Sequence, residues 1–139
     1  MSARFTIGTD LVYVPAFAEQ LSQPGTTFMR VFSESEQRVA AGSPEGPRRA
    51  AHLAGRWAVK EAFIKAWSQA RYGLVPVMEE EKVVWRDIVT RPDPWGRPKV
   101  DIAGELRRAV DTSLGPWHAE VSISHDGDYA QATCLLQVG

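Results

Sequence analysis

The chain has a single cysteine, Cys134, in 139 residues, which excludes an internal disulfide and a cysteine-built metal centre. Set in the apolar run "ATCLLQV", its thiol is expected in a buried strand. Long hydrophobic runs are missing as well. No stretch approaches the roughly 20 uninterrupted apolar residues of a membrane span, and "MSARFTIGTD" lacks the apolar segment of a secretory signal. The expectation is a cytoplasmic protein that makes no use of a membrane. Charge of one sign is also absent: 16 Lys and Arg against 17 Asp and Glu leave a net charge of −1, with a pI near 6.3. A chain so balanced has no global basic field, so nucleic acid is not expected as a partner and any anion site must be local. Walker and kinase glycine loops are absent. The length suits one domain spanning 1–139, large enough for a core.

What is present reads as a mixture of helices and hairpin-connected strands. "RFTIGTDLVYV" alternates Phe5, Ile7, Thr9 and Leu11 with Thr6, Gly8, Asp10 and Val12, which suits a strand interrupted at Gly8. Pro15 opens a short helix closed by "SQPGT", and Ser33 and Glu36 stand at capping-box spacing at the head of "SESEQRVAA". Both are expected as surface helices. Pro47 begins the longest element, a helix reaching about Gln69. "VVWRDIVT" and "PKVDIA" read as a hairpin around "RPDPWGRP". "GELRRAVDTSL" is an amphipathic helix stopped by Gly115 and Pro116, and "HAEVSISHD" and "YAQATCLLQV" are strands joined at Gly127. The fold class is therefore α+β, with a small, mostly antiparallel sheet packed on a long central helix.

That helix poses a chemical problem. In "AGRWAVKEAFIKAW", Leu53, Trp57, Ile64 and Trp67 form one apolar stripe, and Val59, Ala62, Phe63 and Ala66 cover much of the other side. Such a helix belongs in a core, yet it carries Arg56, Lys60, Glu61 and Lys65, and buried charges are costly unless paired with one another or with a ligand. Glu61 and Lys65 could form an i,i+4 ion pair of a few tenths of a kcal/mol. Arg56 and Lys60 share one sign, which helps only where an anion is near. Asp10 on the first strand and His125 with Asp126 at the end of "SISHD" supply further polar groups, each of which could instead merely cap a strand or turn.

Jointly, "IGTDLV", "FSESE", "LAGRWAVKEAFIKAW", "WGRPKV" and "VSISHDGDYA" resemble, in order and spacing, the holo-acyl-carrier-protein synthases, the short stand-alone class of 4'-phosphopantetheinyl transferases. The resemblance covers nearly the whole chain. It implies that a serine hydroxyl of an apo acyl carrier protein attacks the β-phosphate of coenzyme A and that 3',5'-ADP leaves, in support of fatty acid biosynthesis. It implies Mg²⁺ held by Asp10 and Glu61, with Lys65 near the phosphates and Glu61 also placed to act on the serine proton through a water. Arg56, Lys65, His125 and Asp126 are the implied coenzyme contacts. Lys60 is either a further basic contact or half of a buried ion pair, and Gly96 to Pro98 is expected near the nucleotide.

The short family is trimeric, which implies sites at subunit junctions, and the five tryptophans suit an interface. Two departures stand out. Pro15 and Ala16 replace the basic segment with which many relatives dock the acidic carrier, leaving Arg30 with Phe28 and Met29 as substitutes, and "WSQARYG" replaces a glycine-rich loop. A non-catalytic coenzyme A or carrier-binding module and another Mg²⁺-dependent phosphoryl transferase are the competing functions.

Overall fold

The computed structural model describes residues 2–139. The chain forms strand β1 (Arg4–Tyr13), helices α1 (Val14–Ser22), α2 (Glu34–Ala41) and α3 (Pro47–Ala70), the hairpin β2 (Ile88–Pro92) and β3 (Pro98–Ile102), helix α4 (Gly104–Leu114), and strands β4 (Trp117–Asp126) and β5 (Tyr129–Val138). Short 3-10 turns occupy Phe28–Val31, Glu80–Lys82 and Trp85–Asp87. All strand pairs are antiparallel, in a three-stranded sheet of order β1-β5-β4 and a separate β2-β3 ribbon. Among the described residues no helix is long and apolar enough to cross a membrane.

The three-stranded sheet lies against α3, and the fit follows from two periods. Two residues of strand advance about 6.6 Å, and four residues of helix about 6 Å. β1 therefore meets successive turns of α3 in step: Arg4 reaches the Ala70 carbonyl, the Thr6 hydroxyl donates to the Ala66 carbonyl at 2.8 Å, and Gly8 lies against Ala62. The approach is closest at Gly8, where a Cβ would sit 2.6 Å from the Ala66 nitrogen. Ala58, Ala62, Ala66 and, from β5, Ala130 and Ala132 are fully buried in this contact. Gly8 does not interrupt β1, as the sequence suggested. It is the position where an unbroken strand touches helix backbone.

This packing covers the less apolar face of β1. Thr6, Gly8, Asp10 and Val12 face the helix, while Phe5, Ile7 and Leu11 on the other side are 57 to 64% exposed. Cys134, on β5, is fully buried, and burial pushes its thiol up to about 12.

The second half of the fold is fastened to α3 through Lys60. Its side chain has no exposure, and Nζ donates to the Glu36 carboxylate at 2.8 Å, to the Trp85 carbonyl at 3.0 Å and to the Ile88 carbonyl. Glu36 in turn accepts from the backbone nitrogens of Ser33 and Thr90, both at 2.9 Å. The capping box read in the sequence is present, but its glutamate is buried and links α2, α3 and β2. Three carbonyl or carboxyl oxygens around one ammonium satisfy all of its donors. They also explain why the chain is a 3-10 turn through Trp85–Asp87, with strand only from Ile88 rather than across the whole of "VVWRDIVT". Replacing Lys60 by alanine leaves the Glu36 carboxylate buried without its counter-ion, and should cost roughly 3–5 kcal/mol in urea unfolding. A loss within about 1 kcal/mol would mean that this pair does not hold the halves together.

Candidate active site

Asp10, Glu61 and Lys65 come together where β1 crosses α3. Lys65 Nζ lies 3.2 Å from Asp10 Oδ1 and donates to the Thr9 carbonyl at 3.0 Å, which pins the lysine across the strand instead of back along its own helix to Glu61. Asp10 and Glu61 are both half-buried. Burial is the main cause raising each carboxyl above its ordinary value; Lys65 opposes the shift at Asp10, whereas Asp10 and then Glu80 add to it at Glu61. Two carboxylates that repel one another in a partly desolvated corner fit a divalent cation, whose charge would relieve both. Mg²⁺ accepts two carboxylate oxygens and fills its remaining positions with water and phosphate oxygens.

Beside this corner lies a cavity of about 330 Å³ bounded by Glu61, Lys65 and Glu80 and by apolar Ile64, Trp67, Leu74 and Met78. The lining extends to Arg71, the residue that follows α3. Glu61, Lys65, Glu80 and Arg71 put charge on a wall that is otherwise mostly apolar, which suits a ligand with an anionic group and an apolar arm.

A second cluster sits towards the start of α3. Paired residues in the sheet share a face, so Asp10, Ala132 and Ile123 form one row towards the helix, and His125 follows two residues beyond Ile123 on the same side. The His125 ring rests on Gly55, where a Cβ would lie 3.2 Å from Cε1 and Nε2, and its Nε2 is 2.9 Å from the Ala51 carbonyl. Arg56 is buried, and burial lowers its guanidinium below the ordinary range, with Glu36 partly compensating. His52, one turn before Arg56, is driven down to about 4 by burial and by Arg56 and His125; its Nε2 is buried without a partner.

The structure thus gathers Asp10, Glu61 and Lys65 in one corner and Arg56 and His125 in a neighbouring one. Asp126 does not join them, because alternation along β4 turns it to the opposite face from His125. Lys60 belongs to the buried ion pair and not to either cluster. Phe28 packs edge-on against Phe17 and Trp57, which leaves Arg30 as the exposed member of the suggested docking trio. Sequence reasoning missed His52 and Glu80. The i,i+4 spacing of His52 and Arg56 was a usable signal; Glu80, inside the run "EEEK", gave none.

The family profile of the 4'-phosphopantetheinyl transferase superfamily matches residues 6–134. The chain belongs to that superfamily. It is 59% identical over 133 residues to the holo-[acyl-carrier-protein] synthase of Corynebacterium glutamicum strain R, covering 96% of this chain and 98% of the relative. Among solved structures, an ACPS–CoA complex from Chronobacterium ammoniagenes superposes with a TM-score of 0.92 at 51% identity, covering 98% of each chain. The acyl carrier protein synthase of Mycobacterium tuberculosis follows with 0.72 at 37% identity, covering 96% of this chain and 97% of that one. The α+β expectation and the resemblance drawn from the motifs agree with these matches.

The raised carboxyl of Glu61 has a thermodynamic consequence. The folded state holds a proton on Glu61 more tightly than the unfolded chain, so stability falls as pH rises from the ordinary value of 4.5 through the raised one, and the deficit persists above it. Glu61→Gln should therefore melt at a higher temperature than the parent at pH 7 without divalent cations, and the gap should close at pH 4. Equal melting at pH 7 in scanning calorimetry would contradict the electrostatic reading of this corner.

Proposed function

We propose that the chain, acting as one domain over 1–139, transfers the 4'-phosphopantetheine arm of coenzyme A to a serine hydroxyl of an apo acyl carrier protein and releases 3',5'-ADP. The observation that carries this reading is the convergence of Asp10, Glu61 and Lys65 beside a largely apolar cavity that Glu61 and Lys65 line. It is a cytoplasmic activity supporting fatty acid biosynthesis. Asp10 and Glu61 hold Mg²⁺, which when bound neutralises pyrophosphate charge and makes the phosphorus more open to attack.

The chain's own groups do the rest. Lys65, tied to the Thr9 carbonyl and Asp10, presents an ammonium to the phosphates and stabilises the departing nucleotide oxygen. Glu61, which lines the cavity, takes the serine proton through a water as the oxygen bonds to the β-phosphorus and the bond to the nucleotide breaks. The pantetheine arm lies along the cavity, with its apolar carbons against Ile64, Trp67 and Met78. Arg56 and His125 receive the nucleotide phosphates, with local positive charge on an otherwise balanced protein. Mass spectrometry of an apo carrier incubated with coenzyme A and Mg²⁺ should show phosphopantetheine addition; Asp10→Ala and Glu61→Ala should each reduce it by at least about a hundredfold. Turnover by both variants at the parent rate would remove the assignment.

The assembly follows from the uncovered side of the sheet. Phe5, Ile7 and Leu11 on β1 and Leu135 on β5 are exposed large apolar residues, a surface that self-association would remove from water. The functional form is a homotrimer with three sites, each at a junction between copies. Light scattering should give close to three times 15.4 kDa, and Leu11→Asp should yield monomers with little activity. A monomer of full activity would overturn the shared site.

A further inference from the structure

The seat of His125 decides which of its nitrogens is free. A carbonyl oxygen can only accept, so the 2.9 Å contact with the Ala51 carbonyl requires Nε2 to carry the hydrogen. Gly55 permits this seat: the ring occupies the space a side chain there would need, and Ile123 closes it from behind, with its Cγ2 3.0 Å from the same Cβ position. In a neutral imidazole whose Nε2 holds the hydrogen, Nδ1 is a bare lone pair. A phosphate oxygen is itself an electron donor, so that nitrogen and a phosphate repel one another until a proton comes between them.

The titratable and charged groups on the elements around the ring are His52 and Arg56 on α3, Asp126 at the end of β4 and Asp128 in the β4–β5 turn. Its neighbours in the sheet row, Ala130 and Val12, carry no charge. Arg56 has no ion pair among the described residues, and His52 has a buried Nε2 without a partner. Burial is the main cause that holds the His52 ring down to about 4, and Arg56 and then His125 add to it.

We propose that Nδ1 of His125 meets a phosphate of coenzyme A only as an imidazolium, so that coenzyme binding draws a proton from solvent onto this ring. The inference rests on the placement of His125 at the coenzyme under the function above, and adds a linkage that this placement does not require. A ring that turned would donate Nε2–H to the phosphate and take up nothing, but it would give up its hydrogen bond to the Ala51 carbonyl and its place on Gly55. The linkage makes coenzyme affinity pH-dependent: binding weakens as pH rises, by up to about tenfold per pH unit between the ring's free and bound pKa values.

Titration calorimetry of the full chain with coenzyme A, at pH 7.5 and constant Mg²⁺, in two phosphate-free buffers of different ionisation enthalpy, reads the proton directly. At that pH a phosphate monoester, with its second pKa near about 6, is already ionised and contributes little of its own. The parent should take up a sizeable fraction of one proton. His125→Gln should bind several-fold more weakly and take up none, while His52→Asn should keep the uptake. If His125→Gln binds more weakly but the parent's heat is the same in both buffers, His125 is a coenzyme contact and the proton linkage is wrong. If His125→Gln binds with parental affinity at every pH, the placement of the coenzyme is wrong as well. Uptake retained in His125→Gln and lost in His52→Asn would overturn the assignment of the proton to His125.

Discussion

Everything at the proposed centre depends on how closely β1 can lie against α3. The strand and the helix advance by nearly equal steps, about 6.6 and 6 Å for two and four residues, so a contact made at one turn is repeated at the next. That agreement is useful only if the two backbones can touch, and Gly8 with the alanines of α3 allows it. Asp10 is two residues further along the same face. A strand held farther off would leave its carboxylate out of reach of Lys65 and out of the field of Glu61.

The charges on α3 have different employments. Lys60 is wholly committed to architecture, joining α2, the 3-10 turn before β2, and β2 itself. Glu61, next in sequence, turns towards the cavity, and Lys65 crosses to β1. Adjacent residues on a helix diverge by about 100°, which is how one segment serves the core and the chemistry at once. Because Lys60 has all its donors used inside, it fixes the rotation of the helix that aims Glu61 and Lys65.

Much of this was legible in the sequence because it rested on local chemistry. Pro47 and the apolar stripes marked α3, Ser33 and Glu36 marked the start of α2, and the motifs around Asp10, Glu61 and His125 carried the family resemblance. What stayed hidden depended on distant pairs. The alternation of β1 gave its two faces but not which one would be covered, since the more apolar face is the one left bare. Glu36 read as a cap and Lys60 as a buried charge, yet nothing local shows that they meet across 24 positions. Asp126 adjoins His125 in sequence, and the strand's two-residue period then separates them. Glu80 enters the site only through a loop whose path no periodicity describes.

Cys134 gives the fold a chemical quietness that suits its proposed co-substrate. Coenzyme A ends in a thiol, and thiols exchange with disulfides through the thiolate. The chain's one cysteine is enclosed in the sheet behind α3, with its thiol pushed up to about 12, so almost none of it is ionised at neutral pH and what exists cannot be approached. Oxidised coenzyme therefore finds no sulfur on this protein to couple with, and a cell under oxidative stress would keep the transferase free of mixed disulfides without any reducing system to restore it.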